Sequence, residues 1–303
     1  MSALLVVAVS AEGCPPAVVD VNQPVVAADD LGLTRGDGCF EGLRLVRQDG
    51  DGGGVVVPNL EAHLARLQRS ARALELPEDP TAWARALDVA AQEWAGGFPE
   101  AGEAAVKLSV TRGRPQPAGA PPQPTVVVTV SAMDPGSLRA RREGIAVASM
   151  TRGYSPDAFA GAPWLLGGVK TLSYAVHTSA QREAARRGAH DALFVAADGS
   201  LLEAPTASVL WVPGPGMLRT VAARENGILG STTQHLLFER AVRAGWRTEE
   251  TTGTLHDLRD AHLVLFTSAV RGPVRVVQLD GEPVSQHAGA AALTAELQAL
   301  AGF

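Results

Sequence analysis

The amino-acid sequence predicts a two-domain protein of the α+β/α/β class, in which strands and helices alternate on both sides of one boundary. The chain has 303 residues, enough to fold around two separate cores. Its hydrophobic share of 46% and charged share of 19% are those of a globular protein. A turn-rich segment around Asp134, Pro135 and Gly136 marks the boundary. We therefore expect a first domain at 1–130, a linker at 131–140 and a second domain at 141–303.

The first domain is expected to contain several strands and two helices. The apolar start at 3–9 is predicted to be a strand, because it is short for a signal peptide and has no positive charge before it. The other predicted strands, separated by glycine- and proline-rich turns at 49–54 and 115–124, cover 18–21, 24–26, 36–45, 55–57, 105–111 and 125–130. A second helix is predicted at 81–94.

The first of the two helices is expected to begin after Asn59 as its cap. Its apolar stripe consists of Leu60, Leu64, Leu67, Ala71 and Leu74. His63, Arg66 and Ser70 share another face of the helix, at spacings of three and four residues. A polar face of this kind is ordinarily solvated.

The second domain is expected to open with a strand at 145–148, followed by a helix at 171–188 that ends at Gly188. The buried side of this helix is predicted to carry Leu172, Ala175, Val176 and Ala180. The remaining predicted elements are a hairpin turn at 198–199, a buried strand at 209–212, a helix at 235–244, a strand at 263–268 and a last helix at 290–300.

Composition excludes several function classes. The net charge is −6 and the basic residues are scattered, so no nucleic-acid footprint is expected. The densest basic run, at 139–142, is typical of a solvated helix face. No run approaches the roughly 18 apolar residues that span a membrane. Cys14 and Cys39 form neither a disulfide framework nor a metal cluster; two reduced thiols in a cytoplasmic protein are expected, and one bridge remains open.

Lys170 is the first candidate for chemistry. Only Lys107 and Lys170 are lysines, and arginine supplies every other fixed positive charge. Arginine stays protonated, whereas a lysine amine can lose its proton and form a Schiff base. Lys170 follows two glycines that let the backbone approach a ligand, and Thr171 and Ser173 are expected to cap the helix. On that helix, Tyr174 would share a face with Lys170.

Two further stretches suit an ionic ligand. Glu203 lies shortly before a buried strand, where a carboxylate needs a partner such as a protonated pyridine ring. Ser231, Thr232 and Thr233 stand together at a helix start, where backbone amides and the helix dipole favour an anion. An ordinary helix cap would explain one of these three hydroxyls but not three in a row.

These residues resemble those of a known family, the class IV aminotransferases, which are fold-type IV enzymes dependent on pyridoxal 5′-phosphate (PLP). The resemblance rests on Lys-Thr-Leu-Ser-Tyr at 170–174 and Glu-Ala-Pro-Thr-Ala-Ser-Val-Leu-Trp at 203–211. Four other stretches agree in order, at 36–44, 63–71, 227–234 and 267–269. The resemblance implies a smaller N-terminal α/β domain and a larger C-terminal PLP-binding domain with a mainly β core, as in D-amino acid aminotransferases.

The resemblance also implies roles for individual residues. Lys170 would be the catalytic residue and would bind PLP covalently, Glu203 would keep the pyridine nitrogen protonated, and Tyr174 would hydrogen-bond the ring 3′-oxygen. The remaining cofactor-binding residues, most of them at the phosphate, would be Arg66, Ser208, Thr232, Thr233 and Ser268. Arg271 could line the pocket, but an exposed position is expected. No metal is implied.

The substrate-binding residues implied by the resemblance are Phe40, Lys107, Arg114 and Ala269. Branched-chain aminotransferases have an arginine at the position of Lys107. D-amino acid transaminases and deoxychorismate lyases have one at the position of Pro117, and Arg114 lies nearby. The helix-start segment Gly-Ser-Thr-Thr-Gln at 230–234 is closer to the lyases than to the family's Pro-Gly-Ile-Thr-Arg.

These departures favour a 4-amino-4-deoxychorismate lyase, which would release pyruvate and form 4-aminobenzoate for folate synthesis. The alternative is a class IV aminotransferase acting on branched-chain L-amino acids or D-amino acids. A binding protein that has lost its chemistry is disfavoured because Lys170 and Glu203 are both present. A cytoplasmic homodimer that binds a small-molecule amine, and neither nucleic acid nor a membrane, is expected.

Overall fold

The structure, a computed structural model, describes residues 4–9, 15–48, 54–223 and 226–303. The chain divides into two compact units. The first contains Met1–Met133 and Val169–Tyr174, and the second contains Asp134–Gly168 and Ala175–Phe303. The short segment Val169–Tyr174 therefore packs with the first unit although it lies far along the chain. Cys14 and most of the predicted turn at 49–54 fall outside the described residues.

The first unit is built on an antiparallel sheet. Its strands are β1 (Leu4–Val9), β2 (Ala17–Val19), β3 (Gly38–Arg47), β4 (Val55–Val56), β5 (Glu103–Thr111) and β6 (Thr125–Ala132). They are ordered β2-β1-β6-β5-β3-β4. A strand predicted at 24–26 is absent, and that stretch is irregular.

Helices cover one face of this sheet. They are α2 (Leu60–Ala73) and α3 (Pro80–Gly97), while the short α1 (Leu31–Arg35) precedes β3. Side chains alternate along each strand, so Leu43 and Leu45 of β3 join Leu67 and Trp83 of the helices in one core. The intervening positions point to the opposite face. Asn59 occupies the cap position of α2 but makes no side-chain capping bond, contrary to the sequence prediction.

The second unit contains a larger, mixed sheet. Its strands are β7 (Ile145–Thr151), β8 (Asp191–Val195), β9 (Ser208–Gly214), β10 (Met217–Val221), β11 (Arg247–Thr251), β12 (Leu263–Ser268), β13 (Gly272–Leu279) and β14 (Glu282–Pro283). They are ordered β11-β10-β9-β12-β13-β7-β8, with β14 beside β13. The β10–β11, β13–β7 and β7–β8 pairs are parallel.

The second unit has a core on each face of its sheet, because β9 and β12 are apolar on both sides. Its helices are α4 (Pro135–Glu143), α5 (Ala175–Arg186), α6 (Thr232–Arg243), α7 (Leu255–Asp260) and α8 (Ala290–Ala301), with a 3₁₀ turn at Pro163–Leu165. Val209 and Trp211 pack with α5 and α7, whereas Leu210 and Val212 pack with α6 and α8. This is the mainly β second domain that the sequence predicts.

The predicted boundaries of the linker and of the helix at 171–188 are wrong. The linker predicted at 131–140 contains the end of β6 and most of α4, which Asp134 caps by accepting a hydrogen bond from the amide of Ser137. The helix predicted at 171–188 is shorter and begins at Ala175, so Leu172 lies outside it. Val176, expected to be buried, is 55% exposed, while Ala180 and Ala184 supply the buried face. Within the described residues, no helix combines the length and apolar character that crossing a membrane requires.

Candidate active site

The polar face of α2 is buried around the carboxylate of Glu41. Arg66 donates two hydrogen bonds to it, Nε to Oε1 and Nη2 to Oε2, both at 2.7 Å. Nδ1 of His63 lies 2.8 Å from Oε2. Glu41 has no exposed surface, and His63 and Arg66 are only 2% and 6% exposed. A polar helix face is ordinarily solvated, but this one is buried, because Glu41 points from β3 toward the helix and gives Arg66 and His63 a partner.

Charge pairing keeps Glu41 ionised. Burial by itself raises the pKa of the Glu41 carboxyl, but the hydrogen bonds from Arg66 and His63 outweigh burial and hold that pKa below its ordinary value. Two parallel N–H bonds fix the plane of the guanidinium. Glu41 therefore orients Arg66. The role of Arg66 at a phosphate stays a prediction.

Lys170 lies in an irregular segment that hydrogen-bonds to the start of β3. Its carbonyl accepts a hydrogen bond from the amide of Phe40 at 3.0 Å, and its own amide donates to Oγ of Ser70 at 3.3 Å. Thr171 bridges Cys39, and the amide of Leu172 donates to the carbonyl of Gly38 at 2.9 Å. Thr171 and Ser173 are consequently not helix caps, and Lys170 and Tyr174 do not share a helical face, contrary to the sequence prediction.

Lys170 and Tyr174 instead meet at the ring of Phe40. Tyr174 contacts this ring edge-on, with ring centroids 5.3 Å apart. Nζ of Lys170 and Nζ of Lys107 each lie over the same ring, 4.6 Å from its centroid. The sheet places Lys107 there, because β5 sets it opposite Gly42, on the face that carries Phe40. Four of the predicted site residues therefore form one cluster. Within it, burial lowers the pKa of the Lys107 ammonium.

Arg114 has a different environment. Its Nε and Nη2 donate to the two carboxylate oxygens of Asp29, at 2.8 and 2.9 Å, and both side chains are largely exposed. A paired surface arginine of this kind gives no support to the expectation that Arg114 replaces the family's substrate-binding arginine. Lys107 is the cation that the structure of this unit brings beside Lys170.

In the second unit, Glu203 is held by the loop that precedes α6. The amide of Leu229 lies 3.2 Å from each oxygen of the Glu203 carboxylate. The carbonyl of Glu203 accepts from the amide of Phe194, which fixes the backbone beside β8. Main-chain contacts thus orient the half-buried carboxylate of Glu203. A carboxylate that pairs with one ring nitrogen needs a fixed orientation of this kind.

The start of α6 lies one turn earlier than the sequence predicts. Ser231 is the cap, and its Oγ accepts from the amide of Gln234 at 3.2 Å. Thr232, Thr233 and Gln234 are buried, between 4% and 6% exposed. Nε2 of Gln234 and Oγ1 of the buried Thr267 find no hydrogen-bond partner among the residues that the structure describes. Buried polar atoms of this kind are ordinarily satisfied. The two atoms can therefore hydrogen-bond a group that binds here.

The turn after β12 carries Ser268 and Ala269 and is held from two sides. Oγ of Ser268 accepts from the amide of Arg271 at 3.2 Å. Arg141 donates to the carbonyls of Val270 and Arg271 at 2.7 and 2.8 Å. Ser208 stands opposite Thr267 in the neighbouring strand. The oxygen of the Ser268 hydroxyl accepts this hydrogen bond, so the hydroxyl proton can still be donated.

Arg271 is not the exposed residue that the sequence predicts. Its Nη2 lies 2.8 Å from Oδ2 of Asp191, which is fully buried, and its own side chain is 15% exposed. The ion pair ties the turn after β12 to the start of β8. Sequence reasoning missed both Asp191 and Arg141; the only available signal for Asp191 was a carboxylate at the start of an apolar strand.

These groups match the chemistry of PLP. A phosphate suits the start of a twelve-residue helix with buried hydroxyls and the unsatisfied donor on Gln234. A protonated pyridine nitrogen suits the oriented carboxylate of Glu203. An aldehyde suits the amine of Lys170. By contrast, burial raises the pKa of the Cys39 thiol to about 12, so this cysteine is inert, and no cluster of three metal-ligating side chains occurs in the described part of the chain.

Comparison with known proteins identifies the family of this chain. The family described as Amino-transferase class IV matches residues 38–279. A bifunctional aminodeoxychorismate lyase / D-amino acid transaminase from Mycobacterium tuberculosis is 38% identical over 270 residues, which cover 87% of this chain and 89% of that protein.

Two solved structures are similar over almost their whole length. The fold IV-transaminase CpuTA1 from Curtobacterium pusillum is 36% identical with a TM-score of 0.86, covering 99% of this chain and 100% of that one. The PLP-bound form of a hypothetical aminotransferase from Mycobacterium tuberculosis is 37% identical with a TM-score of 0.86, covering 98% of each chain. With its lysine, its oriented glutamate and its helix-start hydroxyls, this chain belongs to the class IV aminotransferases and is a PLP-dependent enzyme.

Proposed function

We propose that this enzyme is a 4-amino-4-deoxychorismate lyase, which removes pyruvate from its substrate and leaves 4-aminobenzoate, a precursor for folate synthesis. The observation that carries the proposal is the pair of lysines at the ring of Phe40, Lys170 as the proposed catalytic amine and Lys107 as the proposed ligand of a substrate carboxylate. The similar protein named as a bifunctional lyase and D-amino acid transaminase supports the same choice.

Lys170 is proposed to bind PLP and to be the base. PLP supplies an electron sink for the carbon from which a proton is removed. After the substrate amine has displaced Lys170 from PLP, the free amine of Lys170 takes that proton. An unperturbed lysine has a pKa of about 10.4, so its surroundings must lower this value for the amine to be a base near neutral pH.

The other cofactor contacts are proposed from the family pattern and the local geometry. Glu203, fixed by the amide of Leu229, pairs with the pyridine nitrogen. Tyr174 donates to the 3′-oxygen of the ring. Arg66, Ser208, Thr232, Thr233 and Ser268 hold the phosphate through a guanidinium, hydroxyls and the amides of Thr232 and Ser268.

The substrate is proposed to lie against Phe40 and Ala269, with a carboxylate on Lys107. Among the described residues no carboxylate lies within ion-pairing distance of the Lys107 ammonium, and burial is the cause that lowers its pKa. Loss of the proton and departure of pyruvate leave an aromatic ring, which drives the elimination. Lys107 therefore has the position and charge of a carboxylate ligand, whereas Arg114 is engaged by Asp29.

A transaminase is the second candidate, because the same lysine can return the proton to the cofactor instead. The name of the 38%-identical relative favours D-amino acids as donors. Branched-chain L-amino acids are less favoured, since Lys107 replaces the arginine of those enzymes. The two activities share their catalytic groups, so a direct assay must separate them.

The assay supplies the PLP-loaded enzyme with enzymatically made aminodeoxychorismate, or with D-alanine or L-leucine plus 2-oxoglutarate. The proposal expects 4-aminobenzoate and pyruvate in equal amounts from the first, with Lys170→Ala at background. Keto acid formed from an amino acid, with no 4-aminobenzoate from aminodeoxychorismate, would identify a transaminase and refute the lyase.

We also propose a cytoplasmic homodimer. Trp164, at 75% exposed, and the neighbouring Leu165, at 48% exposed, present apolar surface that a second copy could cover. Sedimentation velocity at micromolar concentration is expected to give twice the chain mass of 31.4 kDa. A single species at the chain mass would contradict the dimer.

A further inference from the structure

Two buried polar atoms of the second unit find no partner within the described part of the chain. They are Nε2 of Gln234, on α6, and Oγ1 of Thr267, on β12. The two residues are 4% and 1% exposed, and each is adjacent in sequence to a proposed phosphate ligand, Thr233 or Ser268. A buried polar atom without a partner destabilises the folded chain, so both atoms call for an explanation.

Both side chains lie in the layer between α6 and the sheet. Leu265 of β12 packs in this layer, and side chains two residues apart share one face of a strand, so Thr267 points into the layer as well. On α6, Leu237 and Phe238 pack against the sheet. Gln234 lies three and four residues before them and is therefore on the same face of the helix.

The connectivity of the sheet places the two residues at the same end of this layer. β10 and β11 are parallel, so α6, which joins them, runs opposite to β10. β9 is antiparallel to β10 and therefore runs with α6, and β12 is antiparallel to β9. The start of α6 thus lies at the end of the sheet where β9 begins with Ser208 and β12 ends with Thr267 and Ser268.

The layer is apolar along most of its length and polar at this end. Thr267 stands opposite Ser208 of β9, and Thr232 and Thr233 are buried in the first turn of α6. The amides of a helix start favour an anion, and a side-chain amide and a hydroxyl can both donate to it. A phosphate monoester has three strong acceptor oxygens, so it can satisfy several donors at once.

We propose that Gln234 and Thr267 are further ligands of the PLP phosphate, and that the folded chain leaves their donors unpaired for that group. The inference rests on the proposed phosphate contacts of Thr233 and Ser268, to which it adds two neutral donors on the inner side of the site. It holds equally for a lyase and for a transaminase.

The test compares the binding of PLP with that of pyridoxal, which lacks the phosphate. Each is titrated into the full-length, cofactor-free protein and followed by fluorescence. Thr267→Val and Gln234→Met remove one donor each with little change of shape. Each variant should bind PLP about tenfold more weakly, because it loses a hydrogen bond to a charged group, and should bind pyridoxal as the wild type does. Thr267→Ser keeps a hydroxyl and should restore PLP binding.

A stability measurement separates a binding role from a structural one. Because the Thr267 hydroxyl is unpaired in the folded chain, the urea midpoint of cofactor-free Thr267→Val should equal or exceed that of the wild type. Thr220→Val is the matched control, since Thr220 is similarly buried but its hydroxyl donates to the carbonyl of Val209 at 2.8 Å. This control should have a lower urea midpoint and unchanged PLP affinity.

The outcomes distinguish this inference from the contacts on which it rests. Wild-type PLP affinity in either Thr267→Val or Gln234→Met, or equal losses of PLP and pyridoxal affinity, would overturn it. A urea midpoint of Thr267→Val as low as that of Thr220→Val would also overturn it, because the hydroxyl would then be bonded within the chain. If Ser268→Ala still weakens PLP binding in those cases, the proposed contact of Ser268 stands and only the further ligands are refuted.

Discussion

Glu41 is the residue on which the orientation of Arg66 depends. Replacing it by Gln removes the negative charge from a site where Arg66 and His63 stay buried. Breaking a buried ion pair from one side typically costs about 3 to 5 kcal/mol. We therefore expect Glu41→Gln to lower the free energy of unfolding by an amount of this order, measured by urea denaturation at pH 7. Glu78→Gln is the matched control, because the Glu78 pair with exposed Arg72 should contribute less than about 1 kcal/mol.

The same residue predicts a pH dependence. The pKa of Glu41 is lower in the folded protein than in the unfolded chain, where it is about 4.3. Its stabilising contribution is therefore complete above that value and is lost as pH falls through the lower, folded-state pKa. The stability difference between the wild type and Glu41→Gln should shrink below about pH 4. A difference that stays constant from pH 7 to pH 3 would show that the charge of Glu41 is not its basis.

At the residue scale, the sequence identified the chemical groups better than their surroundings. Lys170, Tyr174, Phe40 and Lys107 were all predicted, and the structure brings them together. Glu41, however, was given no role by the sequence. A partner for Arg66 could not be predicted, because it lies 25 positions away and only the packing of α2 on β3 joins them.

Among the structural elements, the turn after β12 depends on a side chain from a distant helix. Arg141 of α4 donates to two carbonyls of this turn, and its guanidinium stacks on Phe303 at 4.9 Å. If Ser268 binds the phosphate, Arg141→Met should weaken PLP binding by about tenfold, since hydrogen bonds from a charged group contribute roughly 1.5 kcal/mol or more. Fluorescence titration of the cofactor-free protein with PLP measures this effect.

Arg142→Met provides the comparison for that experiment. Arg142 is the next residue of the same helix and is exposed, so its removal changes the net charge equally without touching the turn. Equal PLP dissociation constants for the two variants would contradict a supporting role of Arg141.

The loop that holds Glu203 depends on the absence of a side chain at Gly227. This residue has φ of +75°, and a Cβ there would overlap the ring of Phe159. Strain and overpacking together should lower the stability of Gly227→Ala by about 2 kcal/mol or more, measured by thermal or urea unfolding. Gly214→Ala serves as the control, since no atom lies close to that position; a similar cost at both sites would refute the steric explanation.

The segment 169–174 explains why one element was predicted incorrectly. Its residues are compatible with the start of a helix, and Gly188 correctly indicated where that helix ends, with φ of +77° two residues beyond Arg186. Hydrogen bonds to Gly38, Phe40 and Ser70 hold 169–174 in a non-helical conformation instead. Those partners are about a hundred positions or more distant, and no local pattern records them.

For the whole molecule, amphipathic patterns in the sequence predict the two-unit organisation. They do not predict how the chain connects the two units. Alternation along β3 and β5 predicts a sheet covered on one side, and the doubly apolar β9 and β12 predict a sheet covered on both. Turn signals near Asp134 indicate where the chain leaves the first unit. They cannot show that Val169–Tyr174 returns to it, because that return depends on pairing with β3.

The central claim is that Lys170 is the amine that binds PLP, and one measurement tests it directly. The purified protein is loaded with PLP, treated with borohydride to make the covalent bond irreversible, digested and mapped by mass spectrometry. We predict one pyridoxyl group per chain, on Lys170 and not on Lys107, and none on Lys170→Ala. A group on Lys107, or no group on Lys170 in protein that retains bound PLP, would contradict the assignment.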